Sequence, residues 1–168
     1  MEKKRMNDKG FSLVELIIVI AIMAILIGLL APQYLKFVER SKKSADRDTV
    51  DEIIRSVQMD YADPESQKNV EGAKITINTT GAATIAEGSG ATAGTTGTGL
   101  EAVLHSFGLD KDAIQLKSSR WLDGAGGGTV TSITIEFTYA DETVKATVTA
   151  GTGTNAPVDD SGTSITGK

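Results

Sequence analysis

Of the 21 residues from 11 to 31, eighteen are Ala, Val, Ile, Leu, Met or Phe; only Ser12, Glu15 and Gly28 interrupt the run. As an α-helix this stretch is about 31 Å long, close to the roughly 30 Å hydrocarbon thickness of a bilayer. The pattern predicts a membrane span rather than a buried core helix. Beyond it, Tyr34, Leu35, Val38, Ala45, Thr49, Ile53, Val57 and Tyr61 recur at three- or four-residue steps, except where Ser41 or Lys42 takes the seam. Lys36, Glu39, Arg40, Lys43, Asp46, Arg47, Asp51, Glu52 and Arg55 lie between them. This spacing predicts that the helix continues with one face turned to a domain and a charged face in water. Asp63-Pro64 ends it, because the residue before a proline is pushed out of the α region. Pro32 sits inside the pattern, four residues after Gly28. Its ring removes one helical hydrogen bond and crowds the preceding turn, so a kink or local unwinding is expected over residues 28–32.

After Pro64 the period shortens. Residues 73–79 alternate as a strand does, and residues 82–86 form a weaker second one. Residues 87–99 are a low-complexity Gly/Thr loop. Residues 100–107 predict a short helix with Leu100, Val103, Leu104 and Phe107 as its apolar face and Gly108 as its stop. Residues 114–122 fit no single period, and residues 124–128 read as a turn. The strongest strand pattern covers residues 130–139, where Ile133, Ile135 and Phe137 share a face. A turn near residues 140–142 leads to residues 143–149, with Val144, Ala146 and Val148 on one side, so the two runs predict an antiparallel hairpin. Residues 151–168 are Gly/Thr/Asp-rich and are expected to be mobile. The fold class is therefore α+β: a long N-terminal helix, apolar then amphipathic, packed on a small antiparallel sheet.

Charge and composition mainly exclude. The net charge is −5, and residues 1–10 hold a surplus of two positive charges (Lys3, Lys4, Arg5 and Lys9 against Glu2 and Asp8), which leaves −7 for residues 11–168. No basic patch points to nucleic acid. There is no cysteine and His105 is the only histidine, so thiol catalysis, thiolate metal sites and paired-histidine zinc sites are excluded. The Gly-rich loops hold neither a Walker A nor a complete GxGxxG pattern, and Asp159-Asp160 lacks the spacing of a calcium loop. The residues suggest no enzyme, no cofactor and no metal. His105 reads as a half-exposed helix residue, Trp121 as an anchor of either the core or a surface contact, and Asn78-Thr79-Thr80 as a sequon of a kind common by chance.

Glu15 is the exception within the apolar run. A carboxylate at membrane depth costs on the order of 2.5–3.5 kcal/mol, so it normally has a partner or a function. A positive group from a neighbouring helix would meet that need, and pairing would set the stagger between helices, because a misregistered copy leaves the charge unpaired.

Lys9-Gly10-Phe11-Ser12-Leu13-Val14-Glu15-Leu16, leading into the apolar run that ends at Ala31-Pro32, closely resembles the class III signal of type IV pilins. The resemblance implies cleavage after Gly10 by a prepilin peptidase and N-methylation of Phe11. It places Glu15 at the family's glutamate and Pro32 at the proline that closes the first apolar segment. The family often has a helix-breaking glycine eight residues before that proline; this chain has Ala24 there, with Gly28 as the substitute. The expected organisation is a leader at 1–10, an N-terminal helix at 11–62 with a transmembrane and assembly segment at 11–31, and a β-rich head at 63–168 with a flexible C-terminal tail.

The implied life history starts in the cytoplasmic membrane and ends in an extracellular pilus. The implied partners are the prepilin peptidase, the pilus assembly machinery and further copies of the chain in a helical filament for adhesion, motility or aggregation. The assembly residues would be Phe11, Glu15, Gly28 and Pro32. Two alternatives stand beside this reading. A pseudopilin of a type II secretion or DNA-uptake machine shares residues 9–32 as a signal, and a single-pass surface binding protein would keep Met1.

Overall fold

A computed structural model describes residues 11–63, 70–88, 99–124, 128–140, 143–151, 153–159 and 162–166. The leader at 1–10, the stop at Pro64, most of the loop at 87–99 and parts of the expected turns at 124–128 and 140–142 lie outside the described residues. The chain divides into two compact units between Val38 and Glu39.

One helix, α1 (Leu13–Ala62), contributes to both units. It is helical through Pro32, so the local unwinding expected at residues 28–32 is not present. Proline removes only one bond from the ladder, at the Gly28 carbonyl, and helix formation is cooperative enough for the flanking turns to hold across one missing bond. In the first unit, every described residue through Phe37 is exposed.

The second unit is α+β, as the periods predict. The C-terminal part of α1 turns Val50, Ile53 and Val57 into its core. This face packs with four antiparallel strands in the order β2-β1-β5-β6, where β1 is Lys74–Asn78, β2 Thr84–Ala86, β5 Ser132–Ala140 and β6 Thr143–Ala150. The register places Ile75 opposite Ile135 and Ile77 opposite Ile133, then Ile135 opposite Val148 and Phe137 opposite Ala146. Because side chains alternate between faces, these pairs stack into one buried layer. The opposite face carries polar pairs: Thr76 and Thr134 hydroxyls 3.1 Å apart, and Lys74 Nζ 3.1 Å from Glu136. A short helix, α2 (Leu100–Ser106), adds Leu100, Val103 and Leu104 to the core. The Glu87 carboxylate accepts the first free amides of α2, from Leu100 at 2.8 Å and Glu101 at 3.2 Å, and Gly108 follows the helix at φ 77°. Phe107, expected on the apolar face of α2, is 43% exposed instead.

A second sheet has the order β4-β3-β7, with β3 Trp121–Asp123, β4 Thr129–Val130 and β7 Pro157–Val158. It corrects two expectations. The run at 130–139 is not one strand: Val130 belongs to β4 and the chain changes sheets at Thr131, whose carbonyl accepts from Thr79 at 3.0 Å. That single-residue crossing explains why Val130 and Ile133 are both buried although they have opposite parity. The described C-terminal residues are not a loose tail either. Residues Pro157–Val158 pair with Leu122 and Asp123, and Ile165 is fully buried. Their Gly/Thr composition concealed the strand pairing and the buried isoleucine that hold the segment.

Candidate functional site

The helix α1 begins in a sequence pattern, Ser12-Leu13-Val14-Glu15, that matches the Ser-x-x-Glu capping box. The geometry forms the Glu15 half of that box, while the Ser12 hydroxyl takes the amide one residue earlier than the box prescribes. Val14 N–H donates to the Ser12 hydroxyl at 3.4 Å, Ser12 N–H donates to the Glu15 carboxylate at 2.9 Å, and Leu16 N–H donates to the Ser12 carbonyl at 3.2 Å. Two orphan amides at the helix start are thus satisfied from within the segment. The sequence carried this signal, but the cost of a charge at membrane depth drew attention to a partner for Glu15 outside its own turn. The carboxylate also lies where the positive end of the helix dipole favours it.

The other expected residues of this segment are spread along the helix. Gly10 lies outside the described residues, and Phe11 is 94% exposed. A Cβ added at Gly28 would meet no atom within 4 Å, and Pro32 is exposed. The structure brings Ser12 and Glu15 together; it does not bring Gly28 or Pro32 to them. Among the described residues α1 is the one helix long and apolar enough to cross a membrane, and none of its most apolar stretch is buried. So much exposed apolar surface needs a lipid or protein environment.

A second polar constellation lies inside the second unit. Asp46, expected on the charged face, is buried, and its carboxylate accepts three hydrogen bonds: Lys117 N–H at 2.7 Å, Ser118 N–H at 3.0 Å and the Trp121 indole N–H at 2.9 Å. The Ser118 hydroxyl donates to Glu39. Lys43 is buried as well, with its ammonium 5.6 Å from the centroid of the Trp121 ring, and the Arg47 guanidinium lies 5.3 Å from it. Arg47 also pairs with Asp159 at 2.6 Å, while its Nε is buried without a hydrogen-bond partner. Cations over an indole are attracted by its negative face. Trp121 is thus a core anchor that ties the start of β3 to α1. A helical wheel could not find this, because the partners come from residues 71 to 75 positions away.

Little of this resembles chemistry on a substrate. Among the described residues no group of His, Asp and Glu side chains is arranged to hold a metal ion. Among the described residues, the Lys111 ammonium is raised above its ordinary 10.5 by its hydrogen bond and charge pairing with Glu101. Asn78 donates its side-chain amide to the Ala82 carbonyl at 3.2 Å.

The family profile described as "Prokaryotic N-terminal methylation motif" matches residues 5–31, the segment that contains Gly10, Phe11 and the capping box. This is the N-terminal signal of the type IV pilin and pseudopilin family. The pilin-like chain is also 37% identical, over 75 residues, to a protein of Clostridium perfringens (strain 13 / Type A) named "Prepilin peptidase-dependent protein A". That similarity covers 45% of this chain and 54% of the relative, so the chain spans about half the length of the curated protein it matches. No solved structure matches the chain.

Proposed function

We propose that the pilin-like chain is a structural subunit of a type IV pilus, held in the cytoplasmic membrane by residues 11–31 and drawn from there into a helical filament. The observation that carries this reading is the exposed apolar helix with one carboxylate near its start. Each of eighteen apolar side chains, at about 0.5–1 kcal/mol, favours either lipid or a bundle of like helices over water. Removal of residues 1–10 would leave the Phe11 amine one turn from Glu15. In the bundle the carboxylate would pair with the amine of its own or an adjacent copy, which rewards one axial register over others. In this role the chain performs no catalysis. The prepilin peptidase and the pilus assembly machinery are its partners.

Two measurements test the proposal. Mass spectrometry of the mature protein should find an N-terminus at Phe11 bearing a methyl group; an N-terminus at Met1 supports the single-pass binding protein instead. Electron microscopy with antibody to the head should then label filaments outside the cell. Mature, methylated subunits without surface filaments would point to the pseudopilin reading.

A further inference from the structure

The Ser118 hydroxyl donates to Glu39, and Arg120 N–H donates to that same hydroxyl at 3.1 Å. With the Lys117 and Ser118 amides held by Asp46, residues 117–120 are tied along the start of α1 in the second unit. Lys117 and Arg120 are exposed there. So are Arg40 and Lys42, which flank Glu39 on opposite sides, about 100° one way and about 60° the other around the helix. Folding thus gathers four exposed cations at the end of the unit where α1 enters it. Among the described residues none of the four makes an ion pair. With Lys43 and Arg47 they make six positive charges, against four negative ones on Glu39, Asp46, Asp48 and Asp159, a surplus of two. Residues 11–168 as a whole carry −7, so this end is positive on an acidic protein.

Chain connectivity fixes what lies near it. Arg40 follows Ala31, the last residue of the apolar run, by nine residues, about 14 Å of helical rise. Before it, in the first unit, Tyr34, Leu35, Lys36 and Phe37 are all exposed. Four consecutive residues at about 100° steps face every side of a helix, so among the described residues nothing covers α1 at this level. Aromatic rings and a lysine just past an apolar span suit the headgroup layer of a bilayer.

We propose that the basic end of the second unit rests on anionic phospholipid headgroups while the chain is in the membrane, with Arg40, Lys42, Lys117 and Arg120 set against lipid phosphates. The inference rests on the membrane residence proposed above and adds the class of lipid. The occupant is argued from charge and reach. Side chains of α1 lean toward its N-terminus, here toward the bilayer, and Lys and Arg extend further along that direction. The headgroup layer itself adds about 5–7 Å beyond the hydrocarbon, and charges attract over about 8 Å more at physiological salt. Spread over two sides of α1 and the neighbouring segment, the cations enclose no site for one free anion; a surface of many headgroups meets them together.

Ser119 is exposed between Lys117 and Arg120 and the chain has no cysteine, so Ser119→Cys gives the full-length protein a single fluorescent label. In vesicles of phosphatidylcholine with about 30% phosphatidylglycerol, a quencher carried on lipid headgroups should reduce its emission at least about twofold more than in phosphatidylcholine alone. About 0.5 M salt should remove the difference. Combining Arg40→Gln, Lys42→Gln, Lys117→Gln and Arg120→Gln should remove it too, whereas Lys74→Gln with Lys145→Gln, on the sheet, should keep it. Lys36 and the basic residues before Gly10 are the same in every variant and cannot produce these contrasts. Equal quenching in the two lipids, or a combined variant that behaves as the parent, overturns the lipid contact and leaves the membrane residence standing. A labelled chain that enters neither vesicle overturns the membrane residence and this contact with it.

Discussion

The Ser12 amide nitrogen and the Glu15 carboxylate lie 2.9 Å apart, so the one acidic residue of the apolar segment closes the first turn of its own helix. This gives Glu15 two separable duties: accepting a hydrogen bond, which needs only an oxygen, and carrying a charge. Glu15→Gln keeps the acceptor and removes the charge. If pairing with the Phe11 amine drives assembly, Glu15→Gln and Glu15→Ala should both fail to form filaments. Normal filaments from Glu15→Gln would assign the residue to capping alone.

Ser12→Ala isolates the other half of the cap. Loss of an N-cap hydroxyl costs about 0.5–2 kcal/mol at the helix end. Hydrogen exchange of the full chain in detergent micelles should show faster exchange at Val14 and its neighbours, with no change beyond the first turns. Unchanged protection there would show that the cap contributes nothing in an apolar medium.

Asp46 receives three N–H donors inside the second unit. Asp46→Ala strands all of them, and donors to a charged acceptor are worth about 1.5–3 kcal/mol each. The substitution should destabilise the unit by at least about 3 kcal/mol. Urea unfolding followed by the emission of Trp121, the only tryptophan, measures this directly. Trp121→Phe, followed by circular dichroism, should cost less because it removes one donor and keeps most of the ring.

The ion pair between Arg47 and Asp159 is partly shielded, with side chains 26% and 19% exposed. Asp159→Ala should cost about 1 kcal/mol, near the upper end for pairs that retain some solvent. The effect should be local: amide exchange at Ile165, which donates to Pro157 at 3.0 Å, should accelerate before the central strands respond. Equal acceleration throughout the unit would show that the C-terminal segment unfolds with the sheet and not ahead of it.

The contact between Lys111 and Glu101 makes a pH prediction. Pairing raises the Lys111 ammonium above its ordinary 10.5, so folding is favoured while the lysine is charged. The contribution is fully present below 10.5 and fades as pH rises through the higher folded value. Side-chain NMR of Lys111 should place its midpoint above that of the Glu101→Gln variant. Coincident midpoints would remove the pairing from the account.

The positions of α1, β1, β2, α2 and the β5–β6 hairpin were legible in the sequence, because each buries one face and therefore repeats at its own period. The signal segment was legible for a different reason: an uninterrupted apolar run, its single carboxylate and Gly10-Phe11 lie within about twenty residues of one another, so no folding is needed to bring them together. Even the cap was written there as Ser-x-x-Glu. What tertiary structure alone decided involves distant residues. Asp46 and Lys43 have the appearance of surface charges until Trp121 and the amides of Lys117 and Ser118 arrive beside them. Residues 157–165 look like a polar tail until a strand pairing and one buried isoleucine fix them. Periodicity reports which face of an element avoids water; it carries no information on which buried polar group will find a partner seventy residues away.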